Sequence, residues 1–296
     1  MLPFRNKFGF FLRRNMYRVA NLDWFDGMKY KNYTGKKLDL KNPQTWSEKL
    51  FWLNRYWQPE IKSICADKYR VREYVEKKGL SHILIPMIGH WNNADEIDFN
   101  SLPNRFVLKC AHGCGSNIIC EDKSSLDIED AKRKLNKWLK VDYSTLHNEK
   151  HYKKIEPSIV GEEFLPVKTW ADIIDYKIHC FDGVPMFIAT NFDRDPVTLH
   201  SHAMSFSPKW ERIKCLIEEE NIPEMQRPQN LDELVRTSSI LSEGMPYVRV
   251  DLYSIGDKLF FGELTFTPSG NLIMVDYTLE FDAKMGKYID INKLKQ

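Results

Sequence analysis

An arginine and two acidic residues near the C-terminal end of the chain have the types and the spacing for phosphate and metal chemistry. Segment 247–270 reads as two strands folded back on each other, because apolar and polar side chains alternate at its start and Gly256 suits a tight turn. The alternation places Arg249 and Asp251 on one face of the first strand, and the second strand carries Glu263. We call this segment the acidic hairpin.

The residue that faces Glu263 depends on the register of the acidic hairpin. A three-residue loop, 255–257, sets Arg249 opposite Glu263 and makes Asp251 its diagonal neighbour. A two-residue loop would set Val250 opposite Glu263, and a carboxylate in an apolar layer is costly unless it is paired. We therefore predict the three-residue loop.

Two carboxylates and one guanidinium then converge on one patch. Mg²⁺ binds a few carboxylates together with phosphate oxygens, and an arginine beside them can stabilise a phosphoryl group in transfer. The alternative is a surface ladder of charged side chains with no ligand. The acidic hairpin alone leaves both interpretations open.

A second hairpin, at 106–120, carries a lysine in front of a turn of small residues, and we call it the glycine hairpin. Its first strand is apolar except for Lys109, and the turn contains glycine, serine and asparagine. Small residues let backbone N–H groups approach phosphate oxygens, although no Gly-Lys-Ser/Thr sequence opens a helix here as it would in a Walker motif. The alternative is a plain glycine turn with Lys109 extending to solvent.

Two further strands carry charged residues of interest. Segment 157–165 is an apolar strand that ends in Glu162 and Glu163, which suits the apolar walls and polar edge of a nucleotide-base site, or else a strand that links two domains. Segment 175–183 alternates into a turn and places Lys177 and His179 on one face; a lone histidine is more often structural than catalytic.

The length and the composition are those of an ordinary globular protein. A chain of 296 residues allows one large domain or two to three small ones, with 43% hydrophobic and 28% charged residues. The net charge is +2, but residues 1–57 hold twelve Lys/Arg against four acidic residues, a net +8. The aromatic and basic residues of 1–35 predict a helical basic extension that either docks on the body or contacts an anionic membrane surface.

The cysteines and the absence of a long apolar run indicate a cytoplasmic protein. Cys110, Cys114 and Cys120 bracket His112, but the spacing matches no zinc finger or knuckle, so we expect reduced thiols. No apolar run approaches the ~20 residues of a membrane span, and no recognition module supports nucleic-acid binding.

Capping residues and periodicity predict the elements that position these side chains, a mixture of helices and strands. Thr45 and Glu48 form a capping box for a helix to about Trp57. The other predicted elements are helices at 67–79, 127–140 and 230–244 and a buried strand at 83–88 interrupted by Pro86.

Taken together and in this order, four runs resemble the ATP-grasp superfamily, and in particular its TupA-like branch, named for teichuronopeptide synthesis. The runs are Ala66-Asp-Lys-Tyr-Arg-Val-Arg-Glu-Tyr74, Leu102-Pro through Phe106-Val-Leu-Lys109, Asp175-Tyr-Lys177 and Phe261-Gly-Glu-Leu-Thr-Phe-Thr-Pro-Ser-Gly270. The resemblance covers about residues 42–280. It implies an α+β ATP-grasp fold that holds ATP between two subdomains with mixed or antiparallel sheets.

The resemblance also implies a domain division and a nucleotide site. The expected divisions are a basic N-terminal extension (1–60), the N-terminal part of the core (61–105), a glycine-loop subdomain (106–165) and a metal-binding subdomain (166–296). Lys68, Lys109 and Lys177 would contact the ATP phosphates. The loop over the phosphates would comprise Gly113, Gly115, Ser116 and Asn117, and the adenine hinge Glu162, Glu163, Phe164 and Leu165.

By the same resemblance, Asp251 and Glu263 would hold Mg²⁺ and Arg249 would steady an acyl phosphate. Arg249, Lys177 and Lys109 are thus the expected catalytic residues. Many ATP-grasp enzymes have Glu-x-Asn as a metal-binding pair, whereas this chain has Glu263-Leu-Thr265. The Thr265 hydroxyl is a weaker ligand than an amide, so a second metal would be loosely held, or Asn271 would contribute instead.

The resemblance implies an ATP- and Mg²⁺-dependent ligase that joins a carboxylate to an amine through an acyl phosphate. The branch suggests a uronic acid or surface polysaccharide as the carboxylate and an amino acid as the amine. Two alternatives stay open. One is a metal-dependent glycosyltransferase, because Asp193-Arg-Asp195 has the spacing of a sugar-nucleotide metal motif, and the other is a non-catalytic nucleotide-binding assembly protein.

Overall fold

The computed structural model describes residues 22–146, 148–195, 198, 201–218 and 225–295. The aromatic and basic residues of 1–21, on which the prediction of docking or membrane contact mainly depends, lie outside the described residues. Within the described ranges, no helix combines the length and the apolar character needed to traverse a bilayer.

The described part of the chain forms helices of one to four turns. They are α1 (Leu22–Thr34), α2 (Trp46–Tyr56), α3 (Glu60–Ala66), α4 (Val71–Lys77), α5 (Ile128–Leu139), α6 (Tyr143–Leu146), α7 (Leu231–Ser242) and α8 (Leu279–Gly286). The predicted capping box is confirmed: Thr45 accepts from the Glu48 N–H, and the Glu48 carboxylate accepts from the Thr45 N–H. The helix predicted at 127–140 is also confirmed, with Asp127 as its N-cap.

The strands form two antiparallel sheets. They are β1 (Met87–Trp91), β2 (Phe106–Cys110), β3 (Asn117–Cys120), β4 (Ile159–Glu163), β5 (Asp175–Phe181), β6 (Val184–Phe192), β7 (His202–Phe206), β8 (Tyr247–Ile255) and β9 (Lys258–Thr265). The first sheet has the order β1-β4-β2-β3 and the second the order β7-β6-β5-β8-β9. These sheets and the helices around them confirm the predicted α+β class.

The first sheet packs one face on helix α5. Phe106 and Leu108 of β2 point to this face and share a core with Ala131 and Leu135 of the helix. The strand alternates, so Lys109 points to the opposite face. This sheet therefore has a covered apolar side and a second side that carries charge.

The second sheet has helix α7 on one face and α2 on the other. Val250 and Leu252 of β8 pack with Leu234 and Leu241 of α7 in one core. Trp46 of α2 is fully buried on the other face, in a second core. Arg249 and Asp251 alternate with the residues that face α7, so they point to the side of α2, where the sheet is only partly covered.

Two local predictions are wrong at their boundaries. The helix predicted from residue 67 begins at Val71, because the Asp67 side chain accepts from the N–H groups of Tyr69 and Arg70 and holds a turn there. The strand predicted at 83–88 is instead a 3₁₀ turn, Ser81–Ile83, followed by β1 from Met87.

Candidate functional site

The acidic hairpin has a register that differs from the predicted one. Ile255 pairs with Lys258, so the loop contains two residues, and a bulge then lies between the pairs Leu252–Phe261 and Asp251–Glu263. The predicted three-residue loop, and with it the pairing of Arg249 with Glu263, is therefore wrong.

The bulge is possible because its extra residue is Gly262. A Cβ atom at this position would lie 2.9 Å from the carbonyl oxygen of Asp251 and 3.3 Å from the ring of Tyr253. The extra residue returns Glu263 to the polar face after a two-residue loop, so Glu263 lies directly opposite Asp251 and Thr265 opposite Arg249.

Arg249 connects the polar side chains of the acidic hairpin. Its Nε and Nη2 atoms each donate to an Asp251 carboxylate oxygen at 2.6 Å, which is a bidentate pair. Nη2 also lies 3.1 Å from Thr265 Oγ1 and 3.5 Å from Glu263 Oε1. The Thr265 hydroxyl donates to Glu263 Oε1 at 2.7 Å. The three acceptors are thus arranged around one guanidinium.

The two carboxylates differ in their pKa. Burial raises the pKa of Asp251 to about 6, even though the charge of Arg249 opposes the shift. Burial also acts to raise the pKa of Glu263, but Lys68, Arg249 and the Thr265 hydroxyl outweigh it, so that pKa lies below its usual value. Glu263 is therefore ionised at neutral pH, and Lys68 is near enough to stabilise its negative charge.

The Asp251, Glu263 and Thr265 oxygens fit a magnesium ion that shares its coordination with phosphates. Mg²⁺ is usually held by one or two carboxylates together with water and substrate phosphates. The strand pairing brings two carboxylates face to face, and a hydroxyl lies beside them. Among the described residues no group of three or more His, Cys, Asp and Glu could hold a metal by itself, so phosphate oxygens would have to complete such a site.

Lys109 of the glycine hairpin is held by an acid from the neighbouring strand. Its Nζ lies 2.6 Å from Glu162 Oε2, and Arg72 of α4 lies 3.3 Å from Glu162 Oε1. Arg72 also donates to the Ile85 carbonyl at 2.9 Å. Two cations therefore share one carboxylate, and the cluster of Arg72, Lys109 and Glu162 has a net positive charge.

The loop of the glycine hairpin packs closely on Tyr143. A Cβ atom on Gly113 would lie 2.4 Å from the Tyr143 ring, and the buried Ser116 hydroxyl contacts the Tyr143 hydroxyl. Gly115 has a φ of +69°, which favours glycine. Lys68 Nζ donates to the Gly113 carbonyl and so holds the loop in place. The Ser116 hydroxyl thus forms its hydrogen bond with the Tyr143 hydroxyl.

One cavity of about 370 Å³ lies between the two sheets and brings together most of the predicted site residues. The predicted residues that line it are Lys109, Asn117, Glu162, Glu163, Phe164, Leu165, Lys177, Arg249, Asp251 and Glu263. Lys68 lies in a small adjoining cavity with Lys109 and Glu162. Gly113, Gly115, Ser116 and Thr265 are not part of the lining, although Thr265 bonds to two residues that are.

The same cavity has residues that the sequence reasoning missed. Asp175 accepts from Lys177 at 2.9 Å and from Arg194 at 2.7 Å. Arg194 also lies over the Trp170 ring, with 5.2 Å between the guanidinium carbon and the ring centroid. Arg72, which shares the Glu162 carboxylate with Lys109, lines the small adjoining cavity. Asp175 could have been inferred, because it is two residues before Lys177 on the same face of β5, whereas nothing in the sequence indicates that Trp170 faces Arg194.

A second cavity, of about 490 Å³, adjoins the first and shares Lys177 and Arg249 with it. It lies over β5 and β6 and is closed by the segment after β9. The two cavities therefore meet at a pair of cations.

His179 also lines the second cavity, but it is almost fully buried. Its Nδ1 lies 2.9 Å from the Tyr247 hydroxyl, and its ring stacks on Phe187 with 4.2 Å between centroids. Burial, helped by Arg249 and Lys177, holds its pKa well below the usual value. A neutral, stacked and hydrogen-bonded imidazole agrees with the structural role that we expected.

The chain is similar to several solved structures. It is 15% identical to the D-alanine–D-alanine ligase from Bacillus anthracis complexed with ATP, with a TM-score of 0.47 over 76% of this chain and 61% of that one. It is 12% identical to the D-alanine–D-alanine ligase from Helicobacter pylori, with a TM-score of 0.46 over 77% of this chain and 62% of that one. It is 15% identical to the D-cycloserine synthetase DcsG, with a TM-score of 0.47 over 92% of this chain and 95% of that one. The chain spans about three fifths of the length of the two D-alanine–D-alanine ligases.

No curated protein matches the sequence. The sequence profile of the TupA-like ATP-grasp family, in contrast, matches residues 48–290. The matched region contains both sheets, the two hairpins and the two cavities. The resemblance seen in the sequence is thereby confirmed, and the chain belongs to the TupA-like ATP-grasp family.

Proposed function

We propose that this protein is an ATP- and Mg²⁺-dependent ligase that joins a carboxylate to an amine through an acyl phosphate. The observation that carries the proposal is the junction of the two cavities at Lys177 and Arg249. A triphosphate in the first cavity would direct its terminal phosphate to this junction, and a carboxylate in the second cavity would meet it there.

The first cavity has the chemistry of a nucleotide site. Apolar side chains from Ile85, Val107 and Ile119 offer walls to a base, and 162–165 offers backbone groups to its edge. Lys109 and Lys177 would bind the phosphates, with Lys68 close to the glycine loop. Bound Mg²⁺ would neutralise phosphate charge, and Asp251, Glu263 and Thr265 are the residues that would hold it.

Arg249 would act in both half-reactions. Its bonds to the strand residues use Nε and Nη2, and Nη1 takes part in none of them. In the first step a carboxylate oxygen attacks the γ-phosphorus and ADP leaves. In the second an amine attacks the acyl carbon and phosphate leaves. Positive charge from Arg249 and Lys177 would stabilise the transferring phosphoryl group and then the leaving phosphate.

The carboxylate substrate that we favour is a uronic acid or a uronic acid unit of a surface polysaccharide, with an amino acid as the amine. This choice follows from the family, since a fold by itself does not determine a substrate. The second cavity is within the usual size range of small-molecule sites, so it could admit a sugar ring.

The direct test is ADP release from Mg-ATP with mixtures of uronic acids and amino acids, followed by mass spectrometry of the product. We expect ADP release only when both co-substrates are present, and a product mass equal to the two co-substrates minus one water. Binding of Mg-ATP without ADP release in any mixture would favour the non-catalytic alternative.

The glycosyltransferase alternative depends on Asp193 and Asp195, and the lining of the first cavity includes Arg194 but neither aspartate. A thermal-shift comparison separates the two functions, because a ligand stabilises only the protein that binds it. Mg-ATP should raise the melting temperature, whereas UDP-sugars with Mn²⁺ should leave it unchanged.

A further inference from the structure

The second cavity has three kinds of lining that together describe a ligand. The first is the pair Lys177 and Arg249, which it shares with the nucleotide cavity. Under the proposed function this end of the cavity receives the carboxylate that becomes an acyl phosphate. The remaining lining must therefore recognise the other parts of the substrates.

The second kind of lining is neutral and polar. Asn191 of β6 and Ser201 before β7 face the cavity. Asn191 Nδ2 donates to Ser201 Oγ at 3.2 Å, which holds the two side chains together and keeps the Asn191 amide oxygen and the Ser201 proton for a ligand. Such groups suit hydroxyl or amide substituents.

The third kind of lining is acidic and consists of Asp276 and Glu218. They come from segments held side by side, since the Ile217 N–H donates to the Asp276 carbonyl at 3.0 Å and Leu216 bridges to Tyr277. The Ser269 hydroxyl donates to Asp276 Oδ2 and so fixes the direction of the carboxylate. Two carboxylates beside a cavity repel a second anion and attract a cation.

We propose that the second cavity binds the amine co-substrate as its ammonium ion, with Asp276 as the residue that recognises the ammonium group and Asn191 and Ser201 contacting its hydroxyl or amide groups. This inference rests on the proposed ligase function and changes the class of the amine: a primary ammonium compound with neutral polar substituents, such as an amino acid amide, takes the place of the amino acid that the family suggests. Glu218 adds charge at the same end of the cavity.

The position of Asp276 fits the second half-reaction. The ammonium must lose a proton before its nitrogen can attack the acyl carbon. The C–N bond then forms, the bond between the acyl carbon and the phosphate oxygen breaks, and phosphate leaves with the electron pair. An acyl phosphate and R–NH₃⁺ thus give an amide, hydrogen phosphate and one proton released to solvent. Asp276 would hold the cation in the cavity that opens on the junction until the acyl phosphate has formed.

The test measures amine binding directly on the full chain loaded with Mg-ADP, by saturation-transfer NMR titration. The probes are serinamide, ethanolamine and glucosamine, each compared with its N-acetyl derivative, which lacks the positive charge. We expect at least one free amine to bind about two- to fivefold more tightly than its N-acetyl derivative, because the Asp276 carboxylate is exposed and an exposed ion pair contributes up to about 1 kcal/mol. Asp276→Asn should remove this preference. Glu280→Gln, the same change of charge at an exposed residue of α8, should keep it.

Equal binding of free and acetylated amines, no binding of any of the three amines, or an unchanged preference in Asp276→Asn would each overturn the inference. A thermal shift with Mg-ATP, measured on every variant, shows that the variant is folded. It also separates the two proposals, because a wild-type protein that shows no shift with Mg-ATP contradicts the ligase function, whereas a normal shift without amine preference contradicts only the role of Asp276.

Discussion

The glycine hairpin and the acidic hairpin both put charged side chains into the same cavity, but they do so in different ways. β2 and β3 pair without a break from Phe106 to Lys109, so the position of Lys109 follows from simple alternation. β8 and β9 need a bulge at Gly262 before Glu263 can face Asp251. Under the proposed function, the regular hairpin would provide a cation for phosphate binding and the irregular one a group of metal ligands.

The charges of the two hairpins are also balanced differently. Lys109 shares the Glu162 carboxylate with Arg72, so cations are in excess. Arg249 is surrounded by Asp251 and Glu263, so carboxylates are in excess. Under the proposed function, a phosphate would bind to the first group and a divalent cation to the second. We therefore expect variants of the acidic hairpin to affect turnover and variants of the glycine hairpin to affect ATP binding.

The largest effect is expected from Glu263→Gln. The substitution keeps the shape of the side chain and the contact with Thr265 but removes a full charge from the proposed metal ligands. Loss of one charge-stabilising group typically lowers the rate by ~10²–10³. ADP release at saturating Mg-ATP would measure this loss. Asp257→Asn, at the exposed turn of the same hairpin, is the matched control and should retain wild-type turnover. Wild-type turnover in Glu263→Gln would contradict the metal assignment.

The next effect is expected from Lys109→Met, which removes a cation and leaves Glu162 paired with Arg72. A hydrogen bond to a charged group contributes about 1.5–3 kcal/mol, so the KM for ATP should rise by roughly 10–100-fold. The maximal rate should fall less than in Glu263→Gln.

The matched control for Lys109→Met is Lys134→Met, on the exposed side of α5, where Lys134 pairs only with Asp130 at the surface. This control should leave the KM for ATP unchanged. If Lys109→Met lowers turnover at saturating ATP and leaves the KM for ATP unchanged, the division of roles between the two hairpins is wrong.

The same contrast explains which parts of the site could be predicted from the sequence. Alternation of apolar and polar residues was sufficient to place Lys109, Lys177, Arg249 and Asp251 on faces that meet in one cavity. The register of the acidic hairpin was not predictable in this way, because a bulge adds one residue without changing the composition of either strand. The bulge requires glycine at position 262 because a Cβ atom there would lie 2.9 Å from the Asp251 carbonyl oxygen, and this close approach exists only after folding.

Contacts between distant segments could not be predicted from the sequence either. Ser116 was expected to face phosphates, but its hydroxyl contacts Tyr143, which is 27 positions further along the chain. Arg194 was noted only as part of a possible metal motif, whereas the fold brings it over Trp170 and beside Asp175. These partners depend on how loops cross the sheet, and local periodicity carries no information about that.

A third prediction tests the bulge itself. Gly262→Ala places a Cβ atom 2.9 Å from a backbone oxygen, so the bulge must shift. Overpacking of this kind typically costs about 1–3 kcal/mol, which urea unfolding would measure. Turnover should fall with stability, because Glu263 moves with the bulge. Gly256→Asn, at an open turn position with a φ of +63°, is the control and should change both quantities less. A fully active and stable Gly262→Ala would show that the bulge does not position Glu263.

The smallest effect is expected from Gly115→Ala in the loop of the glycine hairpin. No atom lies within 4 Å of a Cβ at this position, so the only cost is the φ of +69°, about 1 kcal/mol for a residue with a side chain. Gly115→Asn should cost less, since asparagine adopts this conformation more readily. Urea unfolding of both variants measures the difference, and the KM for ATP should rise by no more than a few fold. A larger loss of stability in Gly115→Ala than in Gly262→Ala would reverse the comparison, because the regular hairpin would then be the one that depends more on its glycine.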